Sequence, residues 1–343
     1  MRKIIYALLL TLPAIPAVAD EKPKEKEVDP DESVLSFTLE NDLPANTDQY
    51  YTNGFRFTWT SEVNNVPNVV RSGSEPLLGT GEKTRWQATF GQNLYTPQDI
   101  KLENPPADDQ PYAAWLYGSV GVITDEPYER DSRFSRVQTS ALLSLGVVGP
   151  LALGEEVQDF VHDLIGSPDP QGWDHQLNNE PAVLLMVQRR WVFGAPLASY
   201  GGLRVDAAPH TTVALGNVFT HGAAGITFRL GDPPEGDYGP PRIQPASPGS
   251  DFFGEVTGGD QLGWYVFAGA EGRAVGRNIF LDGNTFEDSP SVDKNIFVGE
   301  LSAGAVLTYD DFRIAYTHVI RSPEFEGQNG PSVFGGITVG WRF

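Results

Sequence analysis

The stretch SVFGGITVGWRF, residues 332–343, decides the fold. In an extended chain Val333, Gly335, Ile337, Val339, Trp341 and Phe343 fall on one side, and Phe334, Gly336, Thr338, Gly340 and Arg342 on the other. The first set suits an apolar medium with an aromatic ring at its boundary; the second mostly suits a polar lumen. Leu301, Ala303, Ala305 and Leu307 set against Ser302, Gly304 and Thr308 repeat the pattern. Period two argues against a parallel α/β sheet, whose strands are apolar on both faces. A secreted soluble sandwich alternates in the same way. Strand length and the aromatic-rich terminus, costly on an exposed soluble edge, favour a membrane barrel.

Working outward from that strand, extended segments recur near 34–41, 50–61, 84–94, 112–124, 133–147, 180–193, 198–213, 221–230, 261–276, 294–308, 311–321 and 332–343. Their number is even, and most are long enough for tilted membrane strands, which need about 9–11 residues each. The expectation is an all-β protein: a twelve-stranded antiparallel transmembrane β-barrel over 34–343, with the longer connections extracellular. The terminal Phe343 resembles the end of outer-membrane barrel proteins.

Residues 1–19 open with Arg2 and Lys3, run apolar from Ile4 to Leu12 and end in Ala17-Val18-Ala19, the pattern of a secretory signal peptide. Residues 20–33, DEKPKEKEVDPDES, are too poor in apolar side chains to offset the entropy of ordering and read as a disordered charged leader. Beyond the signal, no apolar run approaches the ~18 residues a spanning helix needs. The chain has no cysteine, so an oxidising compartment is tolerated without a disulfide framework. Its net charge of −21 excludes a nucleic-acid role, which needs clustered Lys and Arg.

One segment breaks the β pattern. GEEVQDFVHDLIG, residues 154–166, places Val157, Phe160, Val161, Leu164 and Ile165 on one helical stripe, bracketed by Gly154 and Gly166. A short α-helix in an extracellular loop is expected, with Glu155, Gln158 and His162 sharing its polar flank. Spacing alone reads His162 as solvent-exposed. Ahead of the second strand, ENDLPANTDQYYTNG gathers carboxylate, amide and hydroxyl groups, which by themselves read as turn formers.

Taken together and in order, ENDLPANTDQYYTNG, GQNLYTPQDIK (91–101) and GEEVQDFVHDLIG resemble the outer-membrane lipid A 3′-O-deacylase family, LpxR-type. The clear likeness runs over about 34–180, and the C-terminal half resembles the family only as barrel strands. The resemblance implies a calcium-dependent hydrolase in the Gram-negative outer membrane, monomeric, acting on lipid A of lipopolysaccharide among outer-membrane lipids. It implies catalytic roles for Asn41, Thr52, Lys101 and His162, with Asp42 and Asn41 as metal ligands. Asp42 and nearby carbonyl or amide oxygens suit Ca²⁺, a hard cation taking six to eight oxygens, and Asp48 is a further oxygen in reach. His162 suits a general base for water, Gln158 one turn earlier suits a group orienting the ring or the water, and Lys101 suits a cation for ester oxygen or phosphate. Thr52 shares parity with Gly54, Arg56 and Thr58, so it is expected on the lumen side. The chain departs from the family pattern where an acidic residue is expected after the helix: Ser167-Pro168 stand there, before Asp169. Two other readings stay open: an outer-membrane phospholipase with a Ser or Thr nucleophile, and a passive barrel, either a pore or a structural protein whose loop helix plugs the lumen.

Overall fold

The computed structural model describes residues 32–42, 49–78, 83–127, 135–196, 203–234, 237, 239, 242–243, 250–254 and 262–343. The expected signal peptide, most of the expected leader and Asp48 lie outside the described residues. Twelve strands form one closed antiparallel barrel in which β1 (Val34–Asn41) pairs with both β2 (Tyr50–Thr60) and β12 (Ser332–Arg342). Between them run β3 (Lys83–Thr96), β4 (Ala113–Pro127), β5 (Ser135–Val148), β6 (Glu180–Pro196), β7 (Arg204–Gly216), β8 (Phe219–Asp232), β9 (Leu262–Asn278), β10 (Phe297–Tyr309) and β11 (Phe312–Arg321). Closure leaves no unpaired edge, the condition for a sheet to cross hydrocarbon. Among the described residues no helix is long and apolar enough to cross a membrane.

The alternation sorts as the sequence requires. On β12, Phe334, Thr338 and Arg342 are buried while Ile337, Val339 and Trp341 are exposed. Leu301 and Leu307 on β10 are likewise exposed, as are Leu35 and Leu39 on β1, Phe57 on β2, Phe90 on β3 and Val120 on β4. The exposed side of the wall is thus apolar around the barrel.

The lumen is filled with charge. Glu300 on β10 meets Arg273 at 2.8 Å, Arg321 at 2.9 Å and Arg242 at 3.2 Å, and Arg242 also reaches Glu40 at 2.6 Å. Toward the mouth opposite the termini, Tyr51, Tyr95, Trp115, Phe219, Phe280 and Phe334 form an aromatic layer. Tyr95 stacks on Phe280 of the short helix α3 (Ile279–Asp282) with centroids 3.8 Å apart. Arg242 is not a strand residue: it belongs to the β8–β9 connection, at the same end as the termini. Of that connection, Asp237, Arg242, Ile243 and Ser250, Asp251, Phe252 and Phe253 are buried inside the barrel. Asp251 holds Arg56 at 2.8 Å and accepts from Ser36 at 2.9 Å.

Two expectations are corrected. The long connections are not all at one end: β5–β6 lies opposite the termini, but the long β2–β3 and β8–β9 connections lie beside them. The segment that fills the lumen comes from β8–β9 rather than from the loop helix, because its Arg and Asp side chains find partners on β1, β2 and β10. Among the described residues two further α-helices are present, α1 (Asn68–Leu78), with no buried residue, and the single turn of α3. The helix read from the sequence is α2 (Gly154–Ile165).

Candidate functional site on the outer wall

The site is built on the outside of the barrel. In β3 the outward register carries Ala88, Phe90, Gln92, Leu94 and Thr96, opposite lumen residues Gly91, Asn93 and Tyr95. Phe90 is 50% exposed, but two residues on, Gln92 is 2% exposed and Leu94 1%. What covers them is the β5–β6 connection. Leu94 clusters with Ile100, Tyr112, Ala114, Ala152 and Trp173, and Leu116, Val147 and Val157 pack on that cluster. Gln92 Nε2 donates to the carbonyls of Ala152 and Leu153 at 2.6 and 3.3 Å. The nitrogen of a polar side chain in the lipid-facing register is thereby paired with the segment that leads into α2, while its buried Oε1 has no hydrogen-bond partner among the described residues.

Local sequence explains the docking. A 3-10 turn at Pro150–Ala152 ends in Leu153, a non-glycine residue with φ of 59°, a left-handed conformation that costs free energy and persists where the surroundings fix it. Gly154 opens α2 directly on the wall: a Cβ there would stand 2.5 Å from Ala114 Cβ and 2.6 Å from the Trp173 ring. Gly166, with φ of 70°, closes the helix in the usual left-handed cap.

This packing reverses the expected faces of α2. Gln158 (2% exposed) and His162 (4%) are buried, whereas Phe160 and Leu164 of the apolar stripe are 68% and 75% exposed. Gln158 Oε1 accepts from Trp173 Nε1 at 2.8 Å. His162 Nδ1 lies 2.6 Å from the Pro168 carbonyl oxygen. A carbonyl only accepts, so Nδ1 carries the proton and Nε2 is the basic nitrogen. Where an acidic residue was expected after the helix, a backbone carbonyl meets the ring instead, which no side-chain pattern displays.

Asn41 continues the outward register of Leu35 and Leu39 at the end of β1, and Asn41 pairs with Asn53, which pairs with Leu94. Adjacent strands lie about 4.8 Å apart, so Asn41 stands two strands from the cluster that seats α2. Asn41 Nδ2 donates to the Thr52 carbonyl at 3.1 Å, and Asp42, 3% exposed, accepts from the Gln49 amide at 2.7 Å. Thr52 is corrected: a β-bulge between Tyr51 and Asn53 breaks the parity that placed it with Gly54 and Arg56. Tyr51 turns into the lumen against Tyr95 and Phe334, while the Thr52 hydroxyl sits 2.6 Å from that of Thr96, in the outward register of β3. Lys101 has an exposed side chain, and its amide donates to Asp99 Oδ1 at 3.0 Å in a turn next to Ile100, which packs under the helix. The structure therefore gathers Asn41, Asp42 and Thr52 into one group at the ends of β1 and β2, and Gln158 and His162 into another on the helix docked at the outer wall, with Lys101 at the margin.

The donor set at the strand end fits a hard cation. Asp42 supplies a buried carboxylate, Asn41 an amide oxygen and Thr52 a hydroxyl, all oxygen and without sulfur or imidazole, while the Thr52 carbonyl accepts from the Asn41 amide and the Asp42 N–H at 3.1 and 3.3 Å. Among the described residues no group of three or more His, Cys, Asp or Glu is arranged to hold a metal ion, so side-chain counting alone does not find this place. Gln92, Thr96 and Trp173 were missed from the sequence. The available signal was a polar residue in an outward register, which Gln92 and Thr96 both show.

A family model described as outer membrane protein LpxR matches residues 4–343, extending the likeness beyond 34–180 to nearly the whole chain. No curated protein matches. Among solved structures, LpxR from Salmonella typhimurium is similar at a TM-score of 0.71 with 19% identity, over 90% of this chain and 100% of that one. The β-domain of the Bordetella autotransporter BrkA aligns at 0.45 with 8% identity, over 91% and 100%, and the translocator domain of NalP from Neisseria meningitidis at 0.38 with 11%, over 93% and 90%.

Proposed function

The chain belongs to the LpxR family of outer membrane proteins, and from that premise we propose that it is a lipid A 3′-O-deacylase. The reaction is hydrolysis of the ester that holds the 3′-linked acyloxyacyl chain. The observation that carries the reading is His162: buried, held by Pro168 through Nδ1, and placed on the wall-facing side of a helix docked at the outer surface of the barrel. A substrate embedded in the membrane reaches a site there without entering the filled lumen.

His162 Nε2 takes a proton from water, and the oxygen adds to the ester carbonyl carbon. The resulting tetrahedral adduct breaks its bond to the sugar oxygen, which receives the proton from the imidazolium. The products are a free 3′-hydroxyl and the released fatty acid. A positioned base of this kind is worth about 10²–10⁴-fold in rate. Gln158, clamped by Trp173, keeps the wall-facing side of α2 in place for that transfer. Asp42, Asn41 and Thr52 would hold Ca²⁺, which when bound supplies a Lewis acid for the carbonyl oxygen as negative charge develops. Lys101, exposed at the margin, offers its ammonium to a lipid A phosphate.

Mass spectrometry of lipid A incubated with refolded protein in detergent tests this, run with calcium, with chelator and with His162→Ala. Calcium-dependent loss of the 3′ acyloxyacyl mass, absent in the variant, is the expected result. Cleavage of phospholipids with lipid A intact overturns the substrate. An unchanged pattern from correctly folded protein overturns the activity.

A further inference from the structure

Three faces run along α2. Gly154, Gln158 and His162 face the wall. Glu155, Glu156, Asp159 and Asp163 form an acidic flank on one side. On the other, Leu153, Phe160 and Leu164 form an apolar flank 49%, 68% and 75% exposed, with Leu151 just ahead at 64%. Four large apolar side chains turned outward together are not explained by packing within the chain.

Their surroundings say what covers them. Below the connection the outward residues of β5 and β6, Leu143, Leu145 and Val183, belong to the exposed apolar wall that an outer membrane protein presents to lipid. Leu151 follows this wall directly: its amide donates to Asn179 Oδ1 at 2.7 Å, one residue before β6 begins. The flank is also oriented. Val157, on the apolar side of α2, packs on the same cluster as Leu116 and Val147, which pair across β4 and β5 on the midplane side of Ala114, where Gly154 docks. The acidic flank lies on the opposite side of the helix from this apolar flank.

We propose that α2 is an interfacial helix, with Leu151, Leu153, Phe160 and Leu164 seated among the acyl chains of the bilayer leaflet that surrounds this end of the barrel. The partner is a lipid surface, held by burial of apolar area as in other helices that lie in the plane of a membrane. The inference rests on the outer-membrane location and not on the hydrolase reading. It adds a consequence for that reading: the helix that carries His162 is set at a fixed depth by the bilayer itself.

The cysteine-free chain allows a direct test. Single variants Phe160→Cys, Leu164→Cys and Asp163→Cys are spin-labelled and reconstituted in vesicles of phosphatidylethanolamine and phosphatidylglycerol. Collision with oxygen, which partitions into lipid, is compared with collision with a water-soluble nickel chelate. The expected oxygen-to-nickel ratio at 160 and 164 exceeds that at 163 by about fivefold or more, as for side chains below and above a membrane interface. Equal ratios at all three positions would overturn the proposal. Exclusion of both reagents at 160 and 164 would overturn it too, because the flank would then be covered by protein, such as a second copy of the chain. Retention of the unheated, fast-migrating barrel band on electrophoresis shows that each labelled protein is folded.

Discussion

The lumen and the outer wall under α2 are two sides of the same strands, and they spend polar residues differently. Inside, Arg273, Arg321 and Arg242 pair with Glu300, Glu40, Glu271 and Glu324 at 2.6–3.3 Å. Those charges fix the β8–β9 segment within the barrel and are accounted for by structure. Outside, Gln92, Asn41, Thr52 and Thr96 occupy registers that elsewhere carry Phe90, Leu35 and Leu39, and α2, docked on the same wall, carries a buried histidine. Polar groups facing lipid have no folding rationale until a covering helix is supplied. The comparison teaches that in this barrel charge density marks the scaffold and misplaced polarity marks the candidate site.

The sharpest break of that comparison is Glu300→Ala. It leaves three buried guanidinium groups without their shared carboxylate and should cost about 3–5 kcal/mol of barrel stability. The temperature at which the compact electrophoretic form is lost measures it, and hydrogen exchange of α2 below that temperature should be unchanged. Trp173→Phe acts on the other side. It leaves the buried Gln158 oxygen without its indole donor, so local opening of α2 should become easier by about 1–3 kcal/mol, read by hydrogen exchange, with barrel melting unaltered. The smallest effect is expected at Asp159, whose carboxyl is raised above its ordinary range, first by burial on the helix and then by Asp169, with His162 opposing. A raised carboxyl pKa means that docked α2 holds this proton longer than the open helix does. The docked state is therefore favoured at pH below both values and loses stability as pH rises between them. Asp159→Asn should increase α2 protection at pH 7 by less than about twofold, because solvent still screens a group that is only partly buried. The difference from wild type should vanish below the usual carboxylate range.

The barrel was readable because both of its media sort side chains: lipid selects Ile337 and Val339, and the lumen selects Thr338 and Arg342. The site was readable only in part. Asn41, Asp42 and His162 stood out by resemblance, but the face of Thr52 was misjudged because one bulge at Tyr51–Asn53 resets parity. The buried face of α2 was misjudged because an apolar stripe is assumed to seek the protein interior, an assumption made for water. Here the wall needed the polar face. The Pro168 carbonyl carries no sequence signature, and the lumen pairs Arg242–Glu40 and Arg56–Asp251 join residues far apart in the chain, beyond any local pattern.

The central claim is that hydrolysis occurs on the outer wall and not in the lumen. It is tested most directly by comparing His162→Ala with His210→Gln, which alters a buried lumen histidine 3.0 Å from Glu271. The measurement is the rate of 3′-ester release from lipid A by folded protein in detergent. The account predicts a loss of about 10²–10⁴-fold for His162→Ala and a rate near that of wild type for His210→Gln. Retained activity in the first variant with loss in the second would contradict it.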